Sequence, residues 1–176
     1  MRYFIPLGYN WIVSEKHGGT QTRCNTLLKI IRFESLLQTE FHFILVAGTP
    51  PGSNRKVSMA AQMAQYITHI SQNTINPTPT PFGWGTLAEI QGAILQIGSF
   101  ASLHPKVQPE VYICTNLGHM PRVKMYWWAL APKEWRVTFV PARDQSFTKM
   151  EWLQEAGKVM RDIYRIATGK IKRTAT

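Results

Sequence analysis

The sequence predicts a single α/β domain, a Rossmann-like three-layer α/β/α fold with a mainly parallel sheet of about five strands. Three observations predict it. Short apolar runs alternate with longer amphipathic stretches along the chain, the pattern of repeated strand and helix units. The run FHFILVA at Phe41–Ala47 is apolar almost throughout, which suits a strand covered on both faces by helices. The 176 residues, 44% of them hydrophobic with six Trp and eight Phe, are about what one compact core requires. Residues 1–176 are therefore read as one domain.

Tyr3–Leu7 reads as the first strand, and Pro6 within it predicts an irregular end or an edge position. Thr20–Phe33 repeats apolar residues at helical spacing (Leu27, Leu28, Ile30, Ile31) behind a threonine-rich start that can cap a helix. Phe41–Ala47 is the clearest strand and is expected to be central. After it come the turn-forming residues GTPPGSN and then a helix, Ser58–Ile70, with Met, Ala and Ile on one face. Between Asn73 and Gly85 the chain is rich in Pro, Thr and Gly, so a third strand near Ile75 is short and badly signposted. Thr86–Ile97 resumes helical spacing, and that helix is over by Pro105. Glu110–Thr115 reads as a buried strand, Val123–Leu130 as a helix, Arg136–Pro141 as a last strand and Lys149–Thr168 as a long closing helix.

Parallel strands need crossover connections, and these gather the strand-to-helix loops on one edge of the sheet. Ligands of open α/β sheets bind at that carboxyl edge, where helix N-termini present unpaired N–H groups. The richest such loop is Thr115-Asn116-Leu117-Gly118-His119-Met120-Pro121-Arg122. His119 is its one side chain able to exchange a proton near neutral pH, and Arg122 can hold a phosphate or carboxylate with two parallel hydrogen bonds. The blander alternative makes His119 a helix cap and Arg122 half of a surface ion pair. Gly8 after the first strand lets a ligand approach the backbone, and Arg23 in the first helix points toward the same edge. Gly48 and Thr49 open the GTPPGSN loop, which can cradle an anion or be a plain tight turn. His17 reads as a solvent-exposed loop histidine.

Several chemistries lack their parts. The chain has no GxSxG, HExxH, GxGxxG or GxxxxGK[ST] segment. Its two aspartates, Asp144 and Asp162, do not make a carboxylate-held metal centre, and no metal is expected. Cys24 and Cys114 have no metal-ligand spacing, and packing is the expected role of Cys114. No apolar run reaches the roughly 20 residues of a membrane span, so a cytoplasmic protein is expected.

The formal charge of +10 points to an anionic partner, and charge alone does not say which. Lys158, Arg161 and Arg165 share a helical face, so a nucleic-acid surface that includes the GKIKR tail is the second choice after an anionic small molecule. Glu151, Glu155 and Asp162 on the same helix favour ordinary ion pairs over that surface.

The order PLG, TQTR, ILVAG, SMAAQMAQYI, CTNLGHMPR and FVPA resembles the YdcF-like family over Tyr3–Gly169. Its most specific part is Thr115–Arg122, which looks like the family's T-S-x-x-H-M-x-R signature and matches it at Thr115, His119, Met120 and Arg122. Gly8, Arg23 and Gly48 match the family's first-strand glycine, first-helix arginine and S-G-G turn, and Glu155 resembles a glutamate of its last helix. The Ser-Glu pair that opens the family's second helix reads Ser58-Met59 here. Its S-x-N-T-x-x-N segment reads Gly83–Glu89, keeping only Thr86. If the missing glutamate is catalytic in relatives, its loss leaves ligand binding without the same turnover. The resemblance implies a Rossmann-like fold, a link to bacterial envelope processes, and a nucleotide-like or phosphorylated ligand such as S-adenosylmethionine. Many relatives carry N-terminal membrane helices, whereas this chain resembles their isolated soluble domain. The expected site is thus Gly8, Arg23, Gly48, Thr49, Ser58, Thr86, Thr115, His119 and Arg122, with His119 beside the reacting group. A catalytically idle interaction protein is the third reading.

Overall fold

A computed structural model describes residues 1–8, 19–34, 40–49, 52, 56–142 and 149–171. Its elements run β1 (Arg2–Pro6), α1 (Gly19–Glu34), β2 (Phe41–Phe43), β3 (Leu45–Ala47), α2 (Met59–Ile70), β4 (Pro79–Gly83), α3 (Thr86–Leu103), β5 (Glu110–Asn116), α4 (Met120–Leu130), β6 (Arg136–Ala142) and α5 (Lys149–Ala167). All strand pairs are parallel, in a four-stranded sheet ordered β2-β1-β5-β6 and a two-stranded sheet of β3 and β4. This is the Rossmann-like α/β architecture.

The run Phe41–Ala47 makes two strands because it changes neighbours. Phe41–Phe43 pairs with β1, the Ile44 amide still donates to the Phe4 carbonyl, and Leu45–Ala47 pairs with β4. The third strand of the sequence reading lies at Pro79–Gly83 rather than near Ile75, and it carries Pro79 and Pro81. Prolines lack the N–H of a ladder, which confines such a strand to an edge, and β4 is one. Pro6 marks no edge: β1 lies between β2 and β5. It is the last residue of β1, and the β1–β2 pairing has already ended at Phe4–Phe43, so its missing N–H falls where that ladder has stopped.

Side-chain alternation sorts the core into two layers. Phe4, Leu45 and Cys114 point to the side of α1 and α2, where they meet Cys24, Leu27, Ile31, Met63 and Ile67. Tyr3, Ile5, Val111 and Ile113 point to the side of α3 and α4, where they meet Ile90, Ile94, Val123 and Trp127. Each such fully buried side chain contributes about 1.5–3 kcal/mol relative to exposure. Among the described residues, no helix is long and apolar enough to cross a membrane.

The route from β1 through α1 leads to β2 on one side, and the route from β4 through α3 returns to β5 on the other. The strand order therefore reverses between β1 and β5. Their carboxyl ends, Leu7-Gly8 and Thr115-Asn116, flank the crevice where doubly wound sheets bind ligands.

Candidate functional site

A cavity of about 170 Å³ opens at this crevice, lined by Gly8, Arg23, Trp84, Thr86, Glu89, Thr115, His119, Arg122 and Lys158, with Leu7, Gly85 and Val123. A larger groove of about 310 Å³ lies elsewhere, against Phe41–Phe43 and Thr74–Thr78. The crevice cavity gathers charged groups: Arg23, Glu89, Arg122 and Lys158.

Its geometry begins with β5. The chain leaves the strand in a turn closed by the His119 amide, which donates to Asn116 Oδ1 at 2.9 Å. Met120 and Pro121 then open α4, Pro121 standing in the first turn, where its missing N–H costs nothing. The turn brings His119 and Arg122 to the crevice. His119 Nδ1 lies 3.1 Å from Glu155 Oε1, and Arg122 Nη1 lies 3.2 Å from the same oxygen. Lys158 Nζ takes the other carboxylate oxygen at 3.2 Å. Arg122 Nη2 also donates to Thr86 Oγ1 at 2.5 Å, tying α4 to the start of α3. Burial pushes the Glu155 carboxyl up, but the His119 hydrogen bond and the charges of Arg122, His119 and Lys158 outweigh it and hold the pKa at about 2.

A second carboxylate, Glu89, lines the cavity itself. Glu89, only 2% exposed, accepts the Gly8 amide at 2.6 Å. Burial drives its pKa up to about 7 against the opposing pull of the Gly8 hydrogen bond and of Arg23 and Arg122. Arg23, fully buried on α1, donates to the Leu7 carbonyl at 2.8 Å and so braces the end of β1. Two carboxylates thus have their pKa values driven apart: Glu89, which lines the cavity, near 7, and Glu155, which contacts the lining residues His119, Arg122 and Lys158, near 2.

Six of the nine residues expected from the sequence line this cavity: Gly8, Arg23, Thr86, Thr115, His119 and Arg122. Gly48, Thr49 and Ser58 do not. Gly48 is a close-approach position whose added Cβ would meet the Gly83 carbonyl carbon at 2.9 Å, and its amide donates to the Gly83 carbonyl. Thr49 is exposed. Ser58 caps α2, its hydroxyl accepting from the Ala61 amide at 3.2 Å. His17, Asp144, Lys172, Arg173 and most of the GTPPGSN loop lie outside the described residues.

No family model, curated protein or solved structure matches the chain.

Sequence reasoning missed Glu89 and Trp84. The signal for Glu89 was available: it is the one charged residue of α3, between Thr86 and Ile90 on the helix's buried face. The basic stripe of α5 is drawn into ion pairs. Lys158 contacts Glu155, while Arg161 and Arg165 lie 3.2 and 3.6 Å from the buried Asp162. Tyr126 of α4 hydrogen-bonds Asp162 as well, and burial together with that carboxylate raises the phenol's pKa.

Proposed function

We propose that the protein is a YdcF-like domain that binds a phosphorylated or nucleotide-like small molecule at the β1–β5 crevice and carries out proton-transfer chemistry on it. The observation that carries this reading is the convergence of Arg122, His119 and Glu89 on one cavity at the reversal of strand order. Arg122 supplies donors for an anionic group. Glu155 on Nδ1 selects the His119 tautomer whose Nε2 exchanges a proton with the ligand. Glu89, poised near neutrality, is the second proton donor or acceptor. Trp84 on the cavity wall offers a flat face to a base or sugar ring.

Glu89 also bears on turnover. The Glu89 Oε2 and Met59 Cγ atoms both close on the same side of Gly8, 3.4 and 3.3 Å from the point a Cβ would occupy. In this reading α3 restores the carboxylate that the second-helix Ser58-Met59 pair lacks, which favours an enzyme over an idle interaction protein. S-adenosylmethionine and nucleotides are the leading ligands, and a role in envelope metabolism follows from the family resemblance. Cys24 and Cys114 are buried and are not joined in a disulfide, which suits the reducing cytoplasm. A nucleic-acid role for α5 ranks lower, because Lys158, Arg161 and Arg165 are engaged with buried carboxylates.

The test is a thermal-stability screen against nucleotides, S-adenosylmethionine, sugar phosphates and prenyl phosphates. A ligand at about 100 times its Kd adds roughly 2.7 kcal/mol and raises the melting temperature. The expected result is a hit that Arg122→Ala abolishes. Silence across the panel, with salt-sensitive nucleic-acid binding indifferent to His119→Ala, overturns the proposal.

A further inference from the structure

Helix α5 buries two acids, packs Ile166 against the core and leaves most of its other large apolar residues outward. Its buried residues are Glu155 and Asp162, whereas Met150, Leu153, Met160 and Tyr164 are 63%, 68%, 67% and 61% exposed, and Trp152 and Ile163 are about half exposed. At about 100° per residue these six side chains fall on one continuous face opposite the two buried acids. Contiguous exposed apolar patches of this kind mark interaction or membrane surfaces more often than chance scatter. One border of the face carries Arg161 and Arg165, two cations that share the single buried carboxylate of Asp162 and so keep a net positive charge at the surface; Lys149 stands at its start, and Lys170 follows its end. An amphipathic helix with Trp, Tyr, Met and Leu on one side and basic residues along its border is the form that lies in the plane of a membrane interface.

We propose that α5 docks on an anionic lipid surface, with Met150, Leu153, Met160 and Tyr164 entering the boundary between headgroups and acyl chains and the basic border facing the headgroups. Charge complementarity selects this occupant over a second copy of the chain. The protein carries +10, and antiparallel pairing of two α5 helices would set the Arg161–Arg165 border against itself. An anionic leaflet meets the same border with opposite charge.

The experiment is co-sedimentation of the full chain with vesicles of phosphatidylcholine alone and of phosphatidylcholine mixed with phosphatidylglycerol, with tryptophan emission read in parallel. The expected result is binding to the mixed vesicles with a blue shift, weakened by added salt and lowered about tenfold or more by Leu153→Glu with Met160→Glu. Both positions are exposed, so the melting temperature of that variant stays at the wild-type value. Lys149→Glu with Lys170→Glu, away from the buried acids, is expected to lower binding in the same direction. Three results overturn the proposal. The mixed vesicles bind nothing; binding is unchanged by the Leu153→Glu and Met160→Glu pair; or sedimentation equilibrium finds a dimer that this pair dissolves while vesicles stay unbound.

Discussion

The Glu89 carboxylate accepts the backbone amide of Gly8 at 2.6 Å, across the crevice between the first strand and the third helix. A buried carboxyl so placed is half-protonated near neutral pH, since burial raises its pKa to about 7. The folded state therefore binds a proton there that the unfolded chain has already lost above its ordinary carboxylate pKa.

That difference sets the sign of a pH effect. Between about pH 4.5 and pH 7 the native state holds more protons at Glu89 than the unfolded state, so wild-type stability falls as pH rises through this window. Glu89→Gln removes the dependence. Urea melts of both proteins from pH 4 to pH 8 are expected to give a stability difference that is flat below the window and shifts in favour of the variant across it. A difference that does not change with pH contradicts the assignment.

Glu155 predicts the opposite slope at lower pH. Its folded pKa of about 2 lies below the unfolded value, so its contribution is complete above about pH 4.5 and is lost as pH falls toward 2. Glu155→Gln leaves Arg122 and His119 without their shared carboxylate and is expected to cost about 3 kcal/mol at pH 7. Denaturant melts at pH 7 and pH 3 read this directly, and the cost should shrink at the lower value.

Two glycines separate fold from site. Alanine at Gly8 would put its Cβ 2.6 Å from the Ala47 Cβ, and alanine at Gly48 would press on the Gly83 backbone. Each is expected to lower stability by about 1–3 kcal/mol. Titration of a ligand found in the screen should then distinguish them, with affinity lost in Gly8→Ala and kept in Gly48→Ala.

The parallel α/β fold was legible because its pattern is local: FHFILVA, the EVYICT strand and the Ile90–Ile94–Ile97 spacing each announce an element. The exit of β5 was legible for the same reason, since His119 and Arg122 follow a strand directly. The handover of Phe41–Ala47 from β1 to β4 was not, because a change of partner leaves no mark on an apolar run. β4 was misplaced because Pro79 and Pro81 resemble a loop until an edge position excuses them. Glu89 became a site residue only through packing, and Glu155 was marked in the sequence by the family resemblance alone. Their pKa values depend on burial and on cations brought from α1 and α4, which spacing within one helix does not encode.

The most direct test of the anion site is calorimetric titration of the screen's best ligand into wild type and Arg122→Lys. The lysine keeps a positive charge beside Glu155 but lacks the planar fork that holds both Thr86 and Glu155 and that the proposal also turns toward an anionic group. The account predicts a folded variant with affinity reduced by about tenfold or more, the scale of one charge-assisted hydrogen bond at 1.5–3 kcal/mol. Equal affinity in the two proteins would contradict it and place the ligand away from the β1–β5 crevice.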